Sequence, residues 1–158
     1  MIRLDLIAPV GALLQRNAAA TPDKPAYVDD DRSITWSALE AETAALARHL
    51  VESGLQPGQS VAIWLPNSVD WIVATFAAIR AGGVAVPFSC EATLQEAEYR
   101  IDDSAAALIF ADSSLRPLLE QLAASDRTLP RVIWRDGVLP AQGAPDVALP
   151  DEDIHAPA

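Results

Sequence analysis

The stretch Ser60–Phe88, SVAIWLPNSVDWIVATFAAIRAGGVAVPF, constrains the fold more than any other part of the chain. Val61-Ala62-Ile63-Trp64-Leu65 is an uninterrupted apolar run, the pattern of a strand covered on both faces. Pro66-Asn67-Ser68 breaks it, and Asn67 or Ser68 can cap the helix that follows. Asp70 falls in the first turn of that helix, where the helix dipole favours a carboxylate. Val69, Ile72, Val73, Phe76 and Ile79 recur at three- and four-residue steps and share one helical face. Gly82-Gly83 stops the helix, because glycine enters the left-handed conformation without steric cost. Val84-Ala85-Val86 is again apolar on both faces. The whole reads as one βαβ unit with a right-handed crossover.

Elsewhere the chain repeats this alternation. Val10, Leu13 and Leu14 mark an amphipathic helix over about residues 9 to 19. Ala26-Tyr27-Val28 and Ser33-Ile34-Thr35 form a hairpin around Asp29-Asp30-Asp31-Arg32. Trp36, Leu39, Thr43, Leu46 and Leu50 trace a long helix, with Ser37 and Glu40 at capping-box spacing and Gly54-Leu55 as its stop. Thr93 and Glu96 make a second capping box, opening a helix that uses Leu94, Ala97 and Ile101. A strand at 106–110 follows, then a helix on Leu115, Leu118, Leu119 and Leu122 capped by Ser113 or Ser114, then a strand at Arg131–Trp134. Four strands alternating with three helices predict an α/β domain, a parallel sheet with helices on both faces, over residues 1–134. Residues 135–158, punctuated by Pro140, Pro145, Pro150 and Pro157, read as a proline-rich acidic surface segment or linker.

Composition narrows the partners. A formal net charge of −11 opposes nucleic acid and anionic membranes. No uncharged apolar run reaches the length of a membrane span. Met1-Ile2-Arg3-Leu4-Asp5 puts an acid where a signal peptide would turn apolar, so a cytoplasmic location is expected. Cys90 is the only cysteine, which leaves neither an intramolecular disulfide nor a cysteine-based zinc site.

A search for chemistry returns little. Lys24 is the only lysine and no Gly-rich sequence precedes it, so a phosphate-binding loop of the Gly-x-x-x-x-Gly-Lys type is absent. There is no Gly-x-Gly-x-x-Gly after a strand and no Gly-x-Ser-x-Gly elbow. His49 and His155 lack metal-ligand spacing, and His49 reads as a half-covered boundary residue. Asp29-Asp30-Asp31 lacks the glycine of a calcium loop and reads as a solvated turn. Asp112 follows a strand as a phospho-acceptor would, but no lysine stands on a later strand. Asn67 holds the best position for a ligand contact, at the carboxyl end of a strand, and is read as a helix cap. Trp36, Trp64, Trp71 and Trp134 are read as core rather than a stacking surface. No residue is assigned a catalytic, cofactor-binding or metal role.

Pro57-Gly58, Val61-Ala62-Ile63, Pro66-Asn67-Ser68 and Arg80-Ala81-Gly82-Gly83-Val84-Ala85-Val86-Pro87 together resemble the N-terminal region of adenylate-forming acid–CoA ligases (acyl-CoA synthetases), of the AMP-binding enzyme superfamily. The resemblance covers residues 8 to 134. It implies, for a parent enzyme, that a carboxylate and ATP give an acyl-adenylate and pyrophosphate, and that the CoA thiol then displaces AMP. ATP, Mg and CoA are the implied cofactors of that parent, with none held by this chain. The family's Ser/Thr- and Gly-rich phosphate loop, its ribose-binding aspartate and its C-terminal lysine have no counterpart here. One departure lies within the match. The turn after Pro87 reads Phe88-Ser89-Cys90-Glu91, and an acid there opposes the CoA-phosphate contact that a basic residue makes in some members.

The chain is therefore expected to be an N-terminal structural fragment, inactive alone, whose partner is the remainder of the parent enzyme. Its exposed interdomain face would be open to self-association. The reading frame is expected to continue past Ala158 into a phosphate loop within about thirty residues. A fragment of a peptide-synthetase adenylation domain, a free-standing α/β binding module and a small nucleotide-binding protein are the alternatives.

Overall fold

The computed structural model describes residues 8–124 and 128–137. Helix α1 (Val10–Ala20) leads to an antiparallel hairpin, β1 (Pro25–Val28) and β2 (Ser33–Thr35), and to helix α2 (Trp36–Glu52). Strand and helix then alternate through β3 (Ser60–Trp64), α3 (Val69–Arg80), β4 (Val84–Pro87), α4 (Leu94–Ser104), β5 (Leu108–Ala111), α5 (Arg116–Ala123) and β6 (Arg131–Trp134). The last four strands form one parallel sheet in the order β4-β3-β5-β6, with Val61 opposite Ala85 on one side and Leu108 on the other. The chain steps outward from β3 to β4, then returns across β3 to β5. The strand order therefore reverses between β3 and β5, and the crevice beyond their carboxyl ends is where open α/β sheets place ligands.

Both faces of the sheet are covered, as the doubly apolar strands require. Val61 and Ile63 join Leu39, Leu46, Val69 and Val73 in a core with α1, α2, α3 and the hairpin. Ala62 and Trp64, one residue out of phase, join Ala97, Ile101, Leu119 and Leu122 in a second core under α4 and α5. The period of two along β3 thus divides its side chains between two cores.

Several local expectations need correction. In α3 the fully buried positions are Val69, Val73, Ala74, Ala77, Ala78 and Arg80, while Ile72, Phe76 and Ile79 are only half-buried. Small residues let a helix approach closely; the larger side chains lie at its flanks, where Phe76 meets Tyr27 edge-on at 6.4 Å. The caps also move. Thr35, not Ser37, caps α2, its Oγ1 accepting from the Ala38 N–H at 3.2 Å. Of the two expected candidates, Asn67 and Ser68, it is Ser68 that caps α3, through Oγ and the Trp71 N–H, also at 3.2 Å. Asp112, rather than Ser113 or Ser114, caps the 3₁₀ turn Ser113–Leu115 that leads into α5. The Thr93–Glu96 capping box forms with both halves present.

The glycine motif has a geometric cause. Gly82 takes φ +75°, and the Gly83 N–H returns to the Ala78 carbonyl at 2.9 Å to close the end of α3. A Cβ on Gly83 would stand 3.0 Å from Leu55 and 3.1 Å from the Gln59 carbonyl. The Gly58 N–H donates to the Gly82 carbonyl at 2.7 Å. The Pro57-Gly58 turn and the Gly82-Gly83 stop thus touch, so these separated pieces of sequence form one structural unit.

Candidate functional site

The residues that leave β3, β5 and β6 at their carboxyl ends converge on one ionic cluster. Asp70, in the first turn of α3, accepts from Arg32 of the hairpin and from Nε of Arg135, which follows β6. Arg32 also forks onto Glu42 of α2, with N···O distances of 3.0–3.1 Å. Arg135 Nη1 donates to Asp112 Oδ2 at 3.3 Å. A cavity of about 270 Å³ lies beside the cluster, lined by Leu46, Val73 and Phe110 with Asp70, Arg135 and Asp136. Three carboxylates thus face two guanidiniums in the crevice at the switch point. Both cations are engaged, so a phosphate entering here would meet a surplus of negative charge. The arrangement can clasp the hairpin, α2, α3, β5 and the exit of β6 together; it offers no nucleophile and no free cation.

Sequence reasoning passed over four members of this region. Arg32, Glu42 and Arg135 carried no motif, and Asp29 was assigned to a solvated turn. Asp30 and Asp31 are exposed, but Asp29 Oδ2 accepts from the Val69 N–H at 2.6 Å and so closes the start of α3 from the hairpin. Its Oδ1 accepts from the Asp31 and Arg32 amides at 2.8 and 2.7 Å. An Asp at the head of a turn signals the local pair of bonds, but nothing local signals the one to Val69.

The sequence candidates do not assemble. Asn67 is exposed on a groove of about 330 Å³ that it shares with Val28, Trp71 and Ile72. His49 is half-buried, and burial lowers its pKa. Lys24 is exposed in the loop before the hairpin. The Cys90 thiol is raised by burial, then by Asp112 and Glu91, which keeps it protonated rather than nucleophilic. Glu91 is exposed, its N–H held by Ser89 Oγ at 3.2 Å. Of the tryptophans only Trp64 is fully buried; Trp36, Trp71 and Trp134 pack partly on the two cores, and Arg116 lies 4.1 Å over the Trp134 ring. Among the described residues no group of three or more His, Cys, Asp or Glu is placed to hold a metal, and no helix is long and apolar enough to cross a membrane. The proposed linker lies outside the described residues beyond Gly137.

The cluster predicts an acid-sensitive fold. Asp112 titrates below its ordinary 3.8, first through the Ser114 hydroxyl, against the cost of burial, then through the Ser114 amide and Arg135. Asp29 is lowered chiefly by the Val69 amide. The unfolded chain therefore takes up these protons first, and the stability present above about pH 5 is lost as pH falls through 3.8 toward the folded values. His49 acts in the same direction from 6.5 downward, because its folded pKa is also depressed. Melting temperature is expected to fall between pH 7 and pH 3.5. Asp112→Asn should melt lower at pH 7 yet lose less on acidification; an unchanged slope would remove Asp112 from this account.

Comparison with known proteins supplies what the geometry does not. The sequence matches the family described as AMP-binding enzyme over residues 14–157. The chain belongs to this family. Among relatives, it is 33% identical over 144 residues to the AMB antimetabolite synthetase AmbB of Pseudomonas aeruginosa, covering 91% of this chain and 11% of that protein. It is 32% identical over 103 residues to gramicidin S synthase 2 of Brevibacillus brevis, covering 65% of this chain and 2% of that protein. It is 35% identical over 102 residues to a 3-[(3aS,4S,7aS)-7a-methyl-1,5-dioxo-octahydro-1H-inden-4-yl]propanoyl:CoA ligase of Mycobacterium tuberculosis, covering 65% of this chain and 20% of that enzyme. The chain thus spans between 2% and 20% of the length of these relatives. The solved N-terminal domain of FACL13 from Mycobacterium tuberculosis superposes with a TM-score of 0.76 at 25% identity, covering 82% of this chain and 34% of that one. The anthranilate CoA ligase AuaEII shares the fold at a TM-score of 0.78 and 23% identity, over 89% of this chain and 28% of the other.

Proposed function

We propose that this chain is the amino-terminal structural part of an ATP-dependent acid–CoA ligase. In the parent enzyme a carboxylate attacks the α-phosphorus of ATP, pyrophosphate leaves, and the CoA thiolate displaces AMP from the acyl-adenylate. The observation that carries the CoA-ligase reading is the resemblance of Pro66-Asn67-Ser68 to the CoA ligases; the mycobacterial CoA ligase, 35% identical over 102 residues, is compatible with it. The cations at the crevice do not form a nucleotide cradle. Phosphoryl chemistry needs positioned cations and N–H donors. Lys24 is exposed in a loop, and Arg32 and Arg135 are engaged by carboxylates. On this reading activation, with ATP, Mg and CoA, is a task of the remainder of the parent enzyme.

A second reading, part of a peptide-synthetase adenylation domain, is favoured by the likeness to AmbB and gramicidin S synthase 2. Pro66-Asn67-Ser68 looks more like the CoA ligases, and on that resemblance we rank this reading second. Carboxylate-dependent exchange of labelled pyrophosphate into ATP tests both. The 158-residue chain is expected to give no exchange, and the longer gene product is expected to exchange and to form a CoA thioester. Exchange by the short chain would overturn its assignment as a structural part. A longer product that activates an amino acid and loads a carrier-bound thiol, but not CoA, would replace the first reading with the second.

A further inference from the structure

The cavity of about 270 Å³ lies where the strand order reverses between β3 and β5, at the carboxyl end of the sheet. Its walls come from three elements packed on one core. Leu46 of α2, Val73 of α3 and Phe110 of β5 are all buried and offer only hydrocarbon. An apolar cavity of about 150 Å³ is enough for benzene, so this one has room for a ring and a short chain. One side is polar, lined by Asp70, Arg135 and Asp136. Apolar walls with a few polar groups on one side are the general form of a small-molecule site.

The charges decide which small molecule. Arg32 and Arg135 are the cations of the cluster, and Glu42, Asp70 and Asp112 already hold both. Asp136 adds a fourth carboxylate at the cavity; it is exposed, and among the described residues it takes part in no ion pair. Among the described residues no cation other than Arg135 lines the cavity. Four carboxylates against two guanidiniums leave a negative field on the polar side, and the hydrocarbon walls strengthen it. That field repels an anion. An ammonium, with three donors and no acceptor, matches the unspent carboxylate. We propose that this cavity binds a small apolar primary amine in its protonated form. The ammonium sits on the Asp136 carboxylate beside Asp70, and the hydrocarbon lies between Leu46, Val73 and Phe110. The inference goes beyond the ligase reading and stands apart from it, because this chain supplies every contact.

Titration of the 158-residue chain with phenethylamine at neutral pH, followed by amide NMR, tests it. The amides of Val73, Phe110 and Asp136 are expected to shift together and to saturate. Hydrocinnamate and phenethyl alcohol have similar bodies with a negative charge or none, and should bind at least about 10-fold more weakly. Asp136→Lys changes an exposed side chain and leaves the core intact. It should weaken the amine by at least about 10-fold and turn the preference toward hydrocinnamate. Val73→Phe fills the cavity and should abolish binding of all three compounds. Circular dichroism reports whether that variant folds; if it does not, Asp136→Lys decides. Equal binding of the alcohol, or tighter binding of the carboxylate, by the parent chain overturns the proposal. So do shifts confined to residues away from the cavity, or no saturation by the amine in the millimolar range.

Discussion

Trp64→Ala is expected to destabilise the protein by about 4 kcal/mol, the range found for emptying a large aromatic site in a packed core. Trp64 is fully buried at the end of β3, the strand hydrogen-bonded on both sides. Its ring meets Phe88 edge-on, with centroids 5.4 Å apart and planes at 62°. Its indole N–H donates to the Ser89 carbonyl at 2.9 Å, which fixes the turn after β4. Alanine removes the ring, the aromatic pair and the donor together. Small domains hold roughly 5–15 kcal/mol in all, so the variant should be close to unfolded at 37 °C. Trp64→Phe keeps the volume in part and loses only the donor and some contact; it should cost about 1–2 kcal/mol. Urea denaturation monitored by circular dichroism separates the two. A loss below 1 kcal/mol for alanine would mean that the second core closes over the gap, contrary to this account.

Arg80 should give the next largest effect. Its side chain is 4% exposed although it carries a full charge. Nη1 donates to the Glu40 carbonyl at 3.0 Å and to Thr43 Oγ1 at 2.9 Å, and Nη2 reaches Glu40 Oε1 at 3.2 Å. The guanidinium thus pins the last turn of α3 to the first half of α2. Arg80→Ala removes both the buried stem and the charged head, and about 3 kcal/mol of lost stability is expected. Arg80→Met retains the stem. It should cost about 1–2 kcal/mol, since Glu40 is partly exposed and can turn to water, while the Thr43 hydroxyl still reaches the Leu39 carbonyl at 2.7 Å. Equal losses for the two variants would show that the hydrogen bonds, not the packed stem, carry the effect. A methionine variant as stable as the parent would show that the bonds contribute nothing net.

What the sequence determined by itself is whatever neighbouring residues decide. The apolar runs around Val61, Val84, Leu108 and Val132 name the strands because each must be greasy on both faces. The Gly82-Gly83 stop and the Thr93–Glu96 box mark helix ends because capping is settled within four residues. Alternation of these elements implied the parallel sheet and its two helical layers. The tertiary structure alone decided the strand order β4-β3-β5-β6, since alternation is the same for any order. It also decided the ionic cluster and the second cap of α3. Arg32 finds Asp70 across 38 positions, Arg135 finds it across 65, and Asp29 finds Val69 across 40. A single Arg or Asp on a turn looks the same in sequence whether it faces water or a partner. Only packing the hairpin on α3, and bringing the end of β6 beside β5, places these charges together and removes enough water for their pairing to matter.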